Sequence, residues 1–365
     1  MEKNEILMIH GTNYKTMTKQ LLEAANLEAL IGSKDKKIGL KPNLVVAKPA
    51  SSGATTHPEL LAGTIEYLQD HGFKNITVME GSWVGENTGR AFDACGYGAV
   101  LRKYNVPFFD LKQDSYKEYD GAGMKLKVCD APASLDFMIN MPVLKGHCQT
   151  TITCALKNNK GVIPDSEKRR YHTMGLHKPI AHLNTIARND FILVDNICGD
   201  LDFEEGGNPV VMNRILGFRD PVLCDAFVCE AMGYRSDDVD YVVLAEKLGV
   251  GSRDTKNAVI TRINDSVMED KPFPMTGRVK RLAAFAEPKD ACSACYGSLI
   301  YALDRLSDKG MLHKGMKPIS IGQGYKGEKG AVGIGSCTRC FEKSLAGCPP
   351  KAVDMAAFLE EEWVK

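Results

Sequence analysis

Short runs rich in β-branched and aliphatic residues alternate along this chain with longer stretches in which apolar residues recur at helical spacing. The first six such segments read "EILMIH", "KKIGLKPN", "HPELLAGTIEYLQDHG", "NITVMEG", "TGRAFDACGYGAVLRKY" and "VPFFDL". Strands that alternate with amphipathic helices are typical of a mainly parallel sheet with helices on both faces. The sequence therefore predicts an α/β fold.

The same pattern continues toward the C-terminus and then stops. "KLKVCDAPASLDFMINMPVLK" and "DFILVDNICG" predict further strands, while "DPVLCDAFVCEAMGY" and "DVDYVVLAEKLGVG" predict helices that end at glycine. Segment 264–281 is rich in proline and charge and is a candidate linker, and cysteines become denser beyond it. We therefore predict an α/β domain over residues 1–285 and a small cysteine-rich lobe over residues 286–365.

Charge and composition limit the cell compartment and the partners. The 365 residues include 46 basic and 46 acidic ones, so no overall positive field attracts nucleic acid or an anionic membrane. The N-terminus lacks the pattern of a secretion signal, and no apolar run approaches the length of a membrane span. These features predict a cytoplasmic protein, in which the twelve cysteines are thiols or metal ligands and not disulfides. Seven scattered cysteines are mostly interpreted as small buried hydrophobic residues: Cys95, Cys129, Cys148, Cys154, Cys198, Cys224 and Cys229.

The other five cysteines form a metal-binding pattern. "KDACSACYGSLIYAL" supplies Cys292 and Cys295, and "IGSCTRCFEKSLAGCPP" supplies Cys337, Cys340 and Cys348. A C-x2-C loop lets two thiolates bind one metal centre, and proline after a cysteine ligand is common in iron–sulfur loops. We predict one iron–sulfur cluster of the [4Fe–4S] type on the last three thiols and one of the first two. The long gap between the pairs and the fifth thiol keep zinc as the alternative.

Polar residues follow several of the predicted strands. They are Lys41 and Asn43, Glu80 and Ser82, Lys145 and His147, and Asp195. In an open α/β sheet, ligands bind in the crevice beyond the carboxyl ends of the strands. These side chains are therefore predicted to share one rim that binds substrate.

The segment "MPVLKGHCQTTITCALKNNKGVIPDSEKRRYH" is strongly basic within a neutral chain. Lys145 and His147 follow a strand apolar enough to be buried, and Lys157 with Asn158 ends a helix-like run. Cations that converge on a partly dry cleft require an anion. We predict a small anionic substrate, with Lys145, His147 and Lys157 as candidate catalytic residues and Asn158 as a further substrate-binding residue. The alternative is that both lysines only bind backbone carbonyls at a strand end and a helix end.

The stretch "GATTHPELL" predicts the start of a helix at the same rim. Thr55 and Thr56 are candidate caps, and Pro58 suits the first helical turn. A helix N-terminus would also favour an anion, which adds Thr56 and His57 to the predicted substrate-binding residues.

Several of these stretches together resemble the domain of unknown function family 362. They are "KPNLV", "TTHPELL", "MEGS", "MINMPVLKGHCQTTITCALKNNKGVIP", "DPVLCDAFVCEAMGY" and "GCPP". The resemblance implies an α/β fold, a prokaryotic cytoplasm and iron–sulfur binding, but no settled reaction. Many members end in the compact motif C-x2-C-x2-C-x3-C-P, whereas this chain has split pairs and a wider last gap. "PVLKGH" and the rim also resemble, more weakly, nickel-pincer lactate racemases.

The sequence thus favours an iron–sulfur redox enzyme or electron-transfer protein that acts on a small anionic substrate and exchanges electrons with a protein partner. Two alternatives stay open: a non-redox metalloenzyme, either a hydro-lyase or a pincer-type isomerase, and a binding module with structural zinc. No nucleic-acid or membrane partner is predicted, and a homodimer is a possible assembly.

Overall fold

The computed structural model describes residues 1–206, 209–264 and 278–364. Most of the candidate linker, residues 265–277, lies outside the described residues. The chain packs into two compact units, Met1–Arg169 with His177–Met275 and Arg170–Leu176 with Thr276–Lys365. No helix in the described part of the chain is both long and apolar enough to cross a membrane.

The described part of the first unit contains strands and helices in alternation. Its strands are β1 (Glu5–His10), β2 (Ile38–Pro42), β3 (Ile76–Glu80), β4 (Phe108–Asp110), β5 (Tyr116–Gly121), β6 (Met124–Cys129), β7 (Phe137–Met141), β8 (Lys145–His147), β9 (Thr151–Thr153), β10 (Phe191–Asp200), β11 (Pro209–Phe218) and β12 (Val259–Arg262). Its helices are α1 (Tyr14–Ala24), α2 (Leu27–Ile31), α3 (Pro58–Asp70), α4 (Thr88–Ala94), α5 (Tyr97–Tyr104), α6 (Asp130–Ala133), α7 (Ala155–Asn158), α8 (Asp165–Met174), α9 (His177–Leu183), α10 (Pro221–Ala231) and α11 (Asp240–Lys247). Helix α8 begins in the first unit and ends in the second.

Eight of these strands form one mixed sheet in the order β12-β1-β11-β10-β7-β2-β3-β4. Strands β4, β3, β2, β7 and β10 are parallel to one another, whereas β11 is antiparallel to β10 and β1. The predicted α/β class with a mainly parallel sheet is confirmed. Sequence reasoning missed two strands of this sheet, β11 and β12. Only the second half of β11 is buried and β12 is mostly exposed, so neither shows a clear apolar pattern.

The two faces of the sheet carry different side chains. Leu40, Ile139 and Leu193 point into a hydrophobic core shared with helices α1 to α5. Side chains alternate between faces along a strand, so Lys41 and Asn140 point to the opposite face. There the amide of Asn140 donates to a backbone oxygen of α7 across 3.0 Å. Polar groups are thus gathered on the face that carries α7.

The described part of the second unit is built on a separate small sheet. It contains β13 (Ala286–Pro288), β14 (Ile319–Ile321), β15 (Val332–Ile334) and β16 (Lys343–Leu345), with helices α12 (Arg278–Ala283), α13 (Ser293–Asp308) and α14 (Ala352–Glu362). The four strands are parallel and lie in chain order. Their last residues, Pro288, Ile321, Ile334 and Leu345, are paired in one row, so the four carboxyl ends share one edge.

Candidate functional site

A buried ion pair links the carboxyl ends of β2 and β3. Lys41 Nζ lies 2.9 Å from Glu80 Oε2 and also donates to the carbonyl of Pro42. Burial lowers the pKa of Lys41, and the Glu80 carboxylate opposes that change. A Cβ atom at Gly161 would lie 2.0 Å from Glu80 Oε1, so a glycine there lets the chain cover the pair. Lys41 and Glu80, both predicted to bind substrate, therefore bind each other, and the backbone at Gly161 covers the pair.

A chain of side-chain amides extends from this pair across the sheet. Asn43 Nδ2 donates to Asn158 Oδ1 across 2.9 Å, and Asn158 Nδ2 donates to Asn140 Oδ1 across 2.7 Å. Lys145 Nζ then donates to Asn43 Oδ1 across 3.2 Å. Three predicted site residues, Asn43, Asn158 and Lys145, thus belong to one buried network.

Lys145 lies on the β8–β9 hairpin and is fully buried. Besides Asn43, its ammonium donates to the carbonyls of Ala54, across 2.6 Å, and Glu204, across 3.0 Å. Burial lowers the pKa of Lys145 to about 8. An ammonium has three donors, and all three are used within the protein. Lys145 thus positions two loops. Two of its three acceptors are backbone carbonyls, which resembles the alternative hypothesis that the lysine only binds carbonyls.

The side chain of Glu204 joins the other two predicted catalytic residues. Its Oε1 lies 2.5 Å from Lys157 Nζ, and its Oε2 lies 3.2 Å from His147 Nε2. Burial alone would raise the pKa of Glu204, but Lys157 and His147 hold it well below its ordinary value. Sequence reasoning did not select Glu204, because an acidic residue in the loop "LDFEEGG" resembles ordinary solvated surface.

Hydrogen bonds fix the tautomer of His147. Its Nδ1 accepts from the backbone N–H groups of Gln149, across 3.1 Å, and Thr150, across 3.0 Å. The ring proton therefore lies on Nε2, the nitrogen that faces Glu204. Burial, together with the charge of Lys157, lowers the pKa of His147 to about 4. His147 is thus a neutral hydrogen-bond donor near pH 7.

Lys160 is a further cation of this cluster. Burial and the charge of Lys157 lower its pKa to about 7. Among the described residues, its ammonium has no hydrogen-bond or ion-pair partner. Lys157 and His147 bind the carboxylate of Glu204, and the charges of Lys157 and Glu204 both act on Lys160. We call Lys157, Lys160 and His147 the cation cluster.

Asp195 and His57 form a second polar group. Asp195 Oδ2 lies 2.8 Å from His57 Nδ1 and accepts the backbone N–H of His57 across 2.6 Å. Burial lowers the pKa of His57, but the Asp195 carboxylate outweighs it and leaves the pKa raised. Tyr14 of α1 packs edge-on against the imidazole, at 5.6 Å between ring centroids, which places this pair on the α1 side of the sheet. The predicted single rim is therefore two groups at the same end of the sheet.

The expected capping role of the threonines is wrong, although α3 does begin at Pro58. His57 is the N-cap residue and makes no side-chain capping bond. Thr56 Oγ1 instead accepts the backbone N–H of Asn43 and donates to the carbonyl of Met141. The Thr56 hydroxyl therefore joins the loop before α3 to the ends of two strands.

Ser82 is engaged in its own loop. Its hydroxyl donates to the carbonyl of Glu86 across 3.2 Å and lies 3.1 Å from Thr88 Oγ1. The ammonium of Lys168 donates to the backbone oxygen of Ser82. This residue is not bonded to the cation cluster.

Four of the five C-terminal thiols gather at one edge of the small sheet. Cys292, Cys337 and Cys348 each follow the carboxyl end of a strand within four residues. Burial raises the pKa of Cys295 to about 12, with further contributions from the charges of Cys292, Cys337 and Cys348. Cys340 and Cys348 are both exposed, but only Cys348 is among the charges that act on Cys295.

One group of potential metal ligands was hidden from sequence analysis. The ligand atoms of Cys154, Cys224 and Asp225 all lie within 4.8 Å of one another, and this buried group could hold a metal. The two sulfur atoms are 3.8 Å apart, although the residues are separated by 70 positions. The carboxylate also accepts the backbone N–H of Ala155, at the start of α7, across 2.7 Å. Six of the seven scattered cysteines are buried as predicted, whereas Cys148 is half-buried.

Fold and sites together define an α/β protein with a buried lysine-rich cluster and an appended thiol-rich unit. The chain belongs to the family described as domain of unknown function (DUF362), which matches residues 38–230. It is similar to the thylakoid-associated protein sll1697 of Synechocystis sp., at 27% identity over 136 residues. That match covers 37% of this chain and 42% of the relative, less than half of either protein.

Among solved structures, the chain is similar to the lactate racemase apoprotein from Thermoanaerobacterium thermosaccharolyticum. The TM-score is 0.40 at 14% sequence identity, and the likeness covers 64% of this chain and 58% of that one.

Proposed function

We propose that this is an iron–sulfur protein whose second unit holds one [4Fe–4S] cluster on Cys292, Cys295, Cys337 and Cys348. The observation that carries the proposal is that Cys337 and Cys348, which follow strands at one sheet edge, lie close enough to act on both Cys292 and Cys295. A single tetrahedral zinc would need sulfur atoms roughly 3.8 Å apart. Among the described residues, no three of these thiols lie within 4.8 Å of one another. Such spacing favours a cluster, which distributes its thiolates over several iron atoms.

When bound, the cluster supplies one-electron redox chemistry, so we propose a redox enzyme or electron-transfer protein that meets a protein electron partner. The side chain of Gln323 lies 3.4 Å from the sulfur of Cys292 and donates a hydrogen bond to it. Hydrogen bonds to ligand sulfur are among the features that set a cluster's potential. The twelve unpaired cysteines support a reducing compartment such as the cytoplasm.

In the first unit, the cation cluster is proposed to bind a small anionic substrate. Lys157 and the Nε2–H of His147 bind the anion, while Lys145 positions the surrounding loops. His147 acts as a donor and not as a general base, because its Nδ1 is already occupied by two backbone donors. Lys160, with a pKa of about 7, is the group suited to exchange a proton near neutral pH.

The cluster assignment is tested by anaerobic purification, iron and sulfide analysis and electron paramagnetic resonance. Serine at position 292, 295, 337 or 348 should reduce iron and sulfide content to near zero. The matched control is Cys340→Ser, which should retain both. Stoichiometric zinc without iron in the anaerobic protein would remove the cluster, and loss of iron in the control would reassign the ligands.

The anion site is tested by calorimetric titration with acetate. Lys157→Met and Lys160→Met should each weaken binding at least tenfold, because each removes a cation from a poorly solvated cluster. Lys74→Met, at an exposed position, is the control. Acetate binding that is insensitive to both substitutions would exclude this site.

A further inference from the structure

The Glu204 carboxylate is more exposed than the two donors of the cation cluster that it binds. Its side chain is 20% exposed, compared with 2% for Lys157 and 7% for His147. The carboxylate therefore lies between the two donors and solvent. A ligand that reached these donors from solvent would have to replace it.

The backbone of the Glu204 loop is anchored separately from the side chain. Lys145 binds the carbonyl of Glu204 across 3.0 Å, and Lys48 binds the carbonyls of Glu205, across 2.9 Å, and Gly206, across 3.3 Å. None of these bonds involves the carboxylate. The side chain can therefore turn toward solvent while the loop stays in place.

We propose that the Glu204 carboxylate occupies the position of a substrate carboxylate, and that the substrate is a small carboxylate that binds by displacing it. This inference rests on the proposed anion site. The two oxygens of Glu204 meet different donors, the ammonium of Lys157 and the N–H of His147. One planar group with two acceptor oxygens satisfies both, which is the shape of a carboxylate.

The exchange of one carboxylate for another leaves the charge of the cation cluster and its carboxylate unchanged. Removing Glu204 without a replacement would leave Lys157 buried and unpaired, which is strongly unfavourable. An incoming carboxylate restores the pairing, so the net charge of the cluster is the same before and after exchange. The internal carboxylate lowers apparent affinity by the fraction of molecules in which it is turned away. A closed fraction of about 90–99% would weaken binding about 10- to 100-fold.

The experiment compares Glu204→Ala with its neighbour Glu205→Ala, which removes an exposed carboxylate from the same loop. Calorimetric titrations use acetate and, separately, inorganic phosphate. Glu204→Ala should bind acetate at least tenfold more tightly than the wild-type protein, and Glu205→Ala should stay within about twofold, since only the first competes for the donors. Glu204→Gln keeps the volume, removes the charge and should show a gain of the same sign if the alanine variant does not fold.

The outcomes separate this inference from the anion site itself. Acetate affinity that is unchanged or weaker in Glu204→Ala, while Lys157→Met still abolishes binding, would overturn displacement and leave the anion site in place. A larger gain for phosphate than for acetate would overturn the carboxylate class. If acetate affinity in Glu204→Ala is indifferent to a second substitution, Lys157→Met, both proposals fail.

Discussion

The ammonium of Lys145 donates a hydrogen bond to the backbone carbonyl of Ala54 across 2.6 Å, entirely out of contact with solvent. Ala54 belongs to the loop that leads to His57, so a lysine on one hairpin fixes the approach to the second polar group. The lysine that looked most catalytic in the sequence is in this respect a structural connection.

Lys145→Met is therefore expected to destabilise the fold more than Lys157→Met. Loss of the Lys145 ammonium leaves two buried acceptors and one partly buried acceptor without this donor, at a cost of about 2–4 kcal/mol in the free energy of unfolding. Loss of Lys157 is milder, because the carboxylate of Glu204 is partly exposed and can turn to water. Denaturant unfolding of both variants measures the difference. Equal losses of stability would contradict the positioning role of Lys145.

The His57–Asp195 pair should make stability depend on pH. Because Asp195 raises the pKa of His57, the protonated imidazole is favoured in the folded state. Its contribution is complete below the unfolded pKa of about 6.5 and is lost as pH rises through the higher folded value. His57→Gln should therefore cost more unfolding free energy at pH 5.5 than at pH 8.5.

The matched control is His313→Gln, at an exposed position. Its effect should be equal at both pH values. A loss for His57→Gln that is the same at pH 5.5 and pH 8.5, or larger at pH 8.5, would show that the imidazole is not protonated preferentially in the folded protein.

Gly161→Ala is expected to disturb the buried Lys41–Glu80 pair. The added methyl group would overlap the carboxylate oxygen at 2.0 Å and the Lys41 ammonium at 2.7 Å. Overpacking of this kind typically costs about 1–3 kcal/mol. Gly89→Ala, on the exposed side of α4, is the control and should change unfolding free energy by less than about 1 kcal/mol. Similar thermal and denaturant midpoints for both variants would argue against tight cover at Gly161.

Removal of the proposed cluster should loosen the second unit first. Ligand binding stabilises the parts of a protein in which the ligands come together. After anaerobic treatment with ferricyanide and a chelator, hydrogen exchange should rise in residues 286–364. It should rise also in residues 170–176, which pack with this unit although they lie far away in sequence. A uniform rise along the chain would contradict the division into units.

The alternation of strands and helices was sufficient to predict the class of fold, because burial on both faces gives parallel strands continuous apolar sequences. All five residues of β7 and all ten of β10 are buried. The same reasoning could place Lys41, Glu80 and Lys145 near strand ends. It could not predict which charges pair, because pairing depends on loop conformation. Glu204, on such a loop, completes the cation cluster.

Other features of the candidate sites could not be predicted because they depend on contacts between residues that are far apart in the sequence. Cys154 and Cys224 each look like single buried cysteines in the sequence, and only the packing of α7 against α10 brings their sulfur atoms together. Cys340 fits a C-x2-C pattern with Cys337, yet, unlike Cys348, it is not among the charges that act on Cys292 and Cys295. Spacing along the chain predicts which thiols are near each other but not which way each one points.

In the second unit, the strand ends lie in one aligned row. The distance between the thiols that follow these ends therefore does not depend on the number of residues between the cysteines. Forty-one residues separate Cys295 from Cys337, including most of α13, β14 and β15, but the pairing of the strands aligns the chain ends from which Cys337 and the first turn of α13 follow. Lengthening the exposed turn after α13 should leave the thiol edge intact. Deleting one residue from β15 would shift the strand by half a period and turn its side chains to the opposite face. In this unit, the positions of the sulfur atoms depend on strand register. The number of residues between the cysteine pairs can therefore change while the sulfur atoms keep the same arrangement.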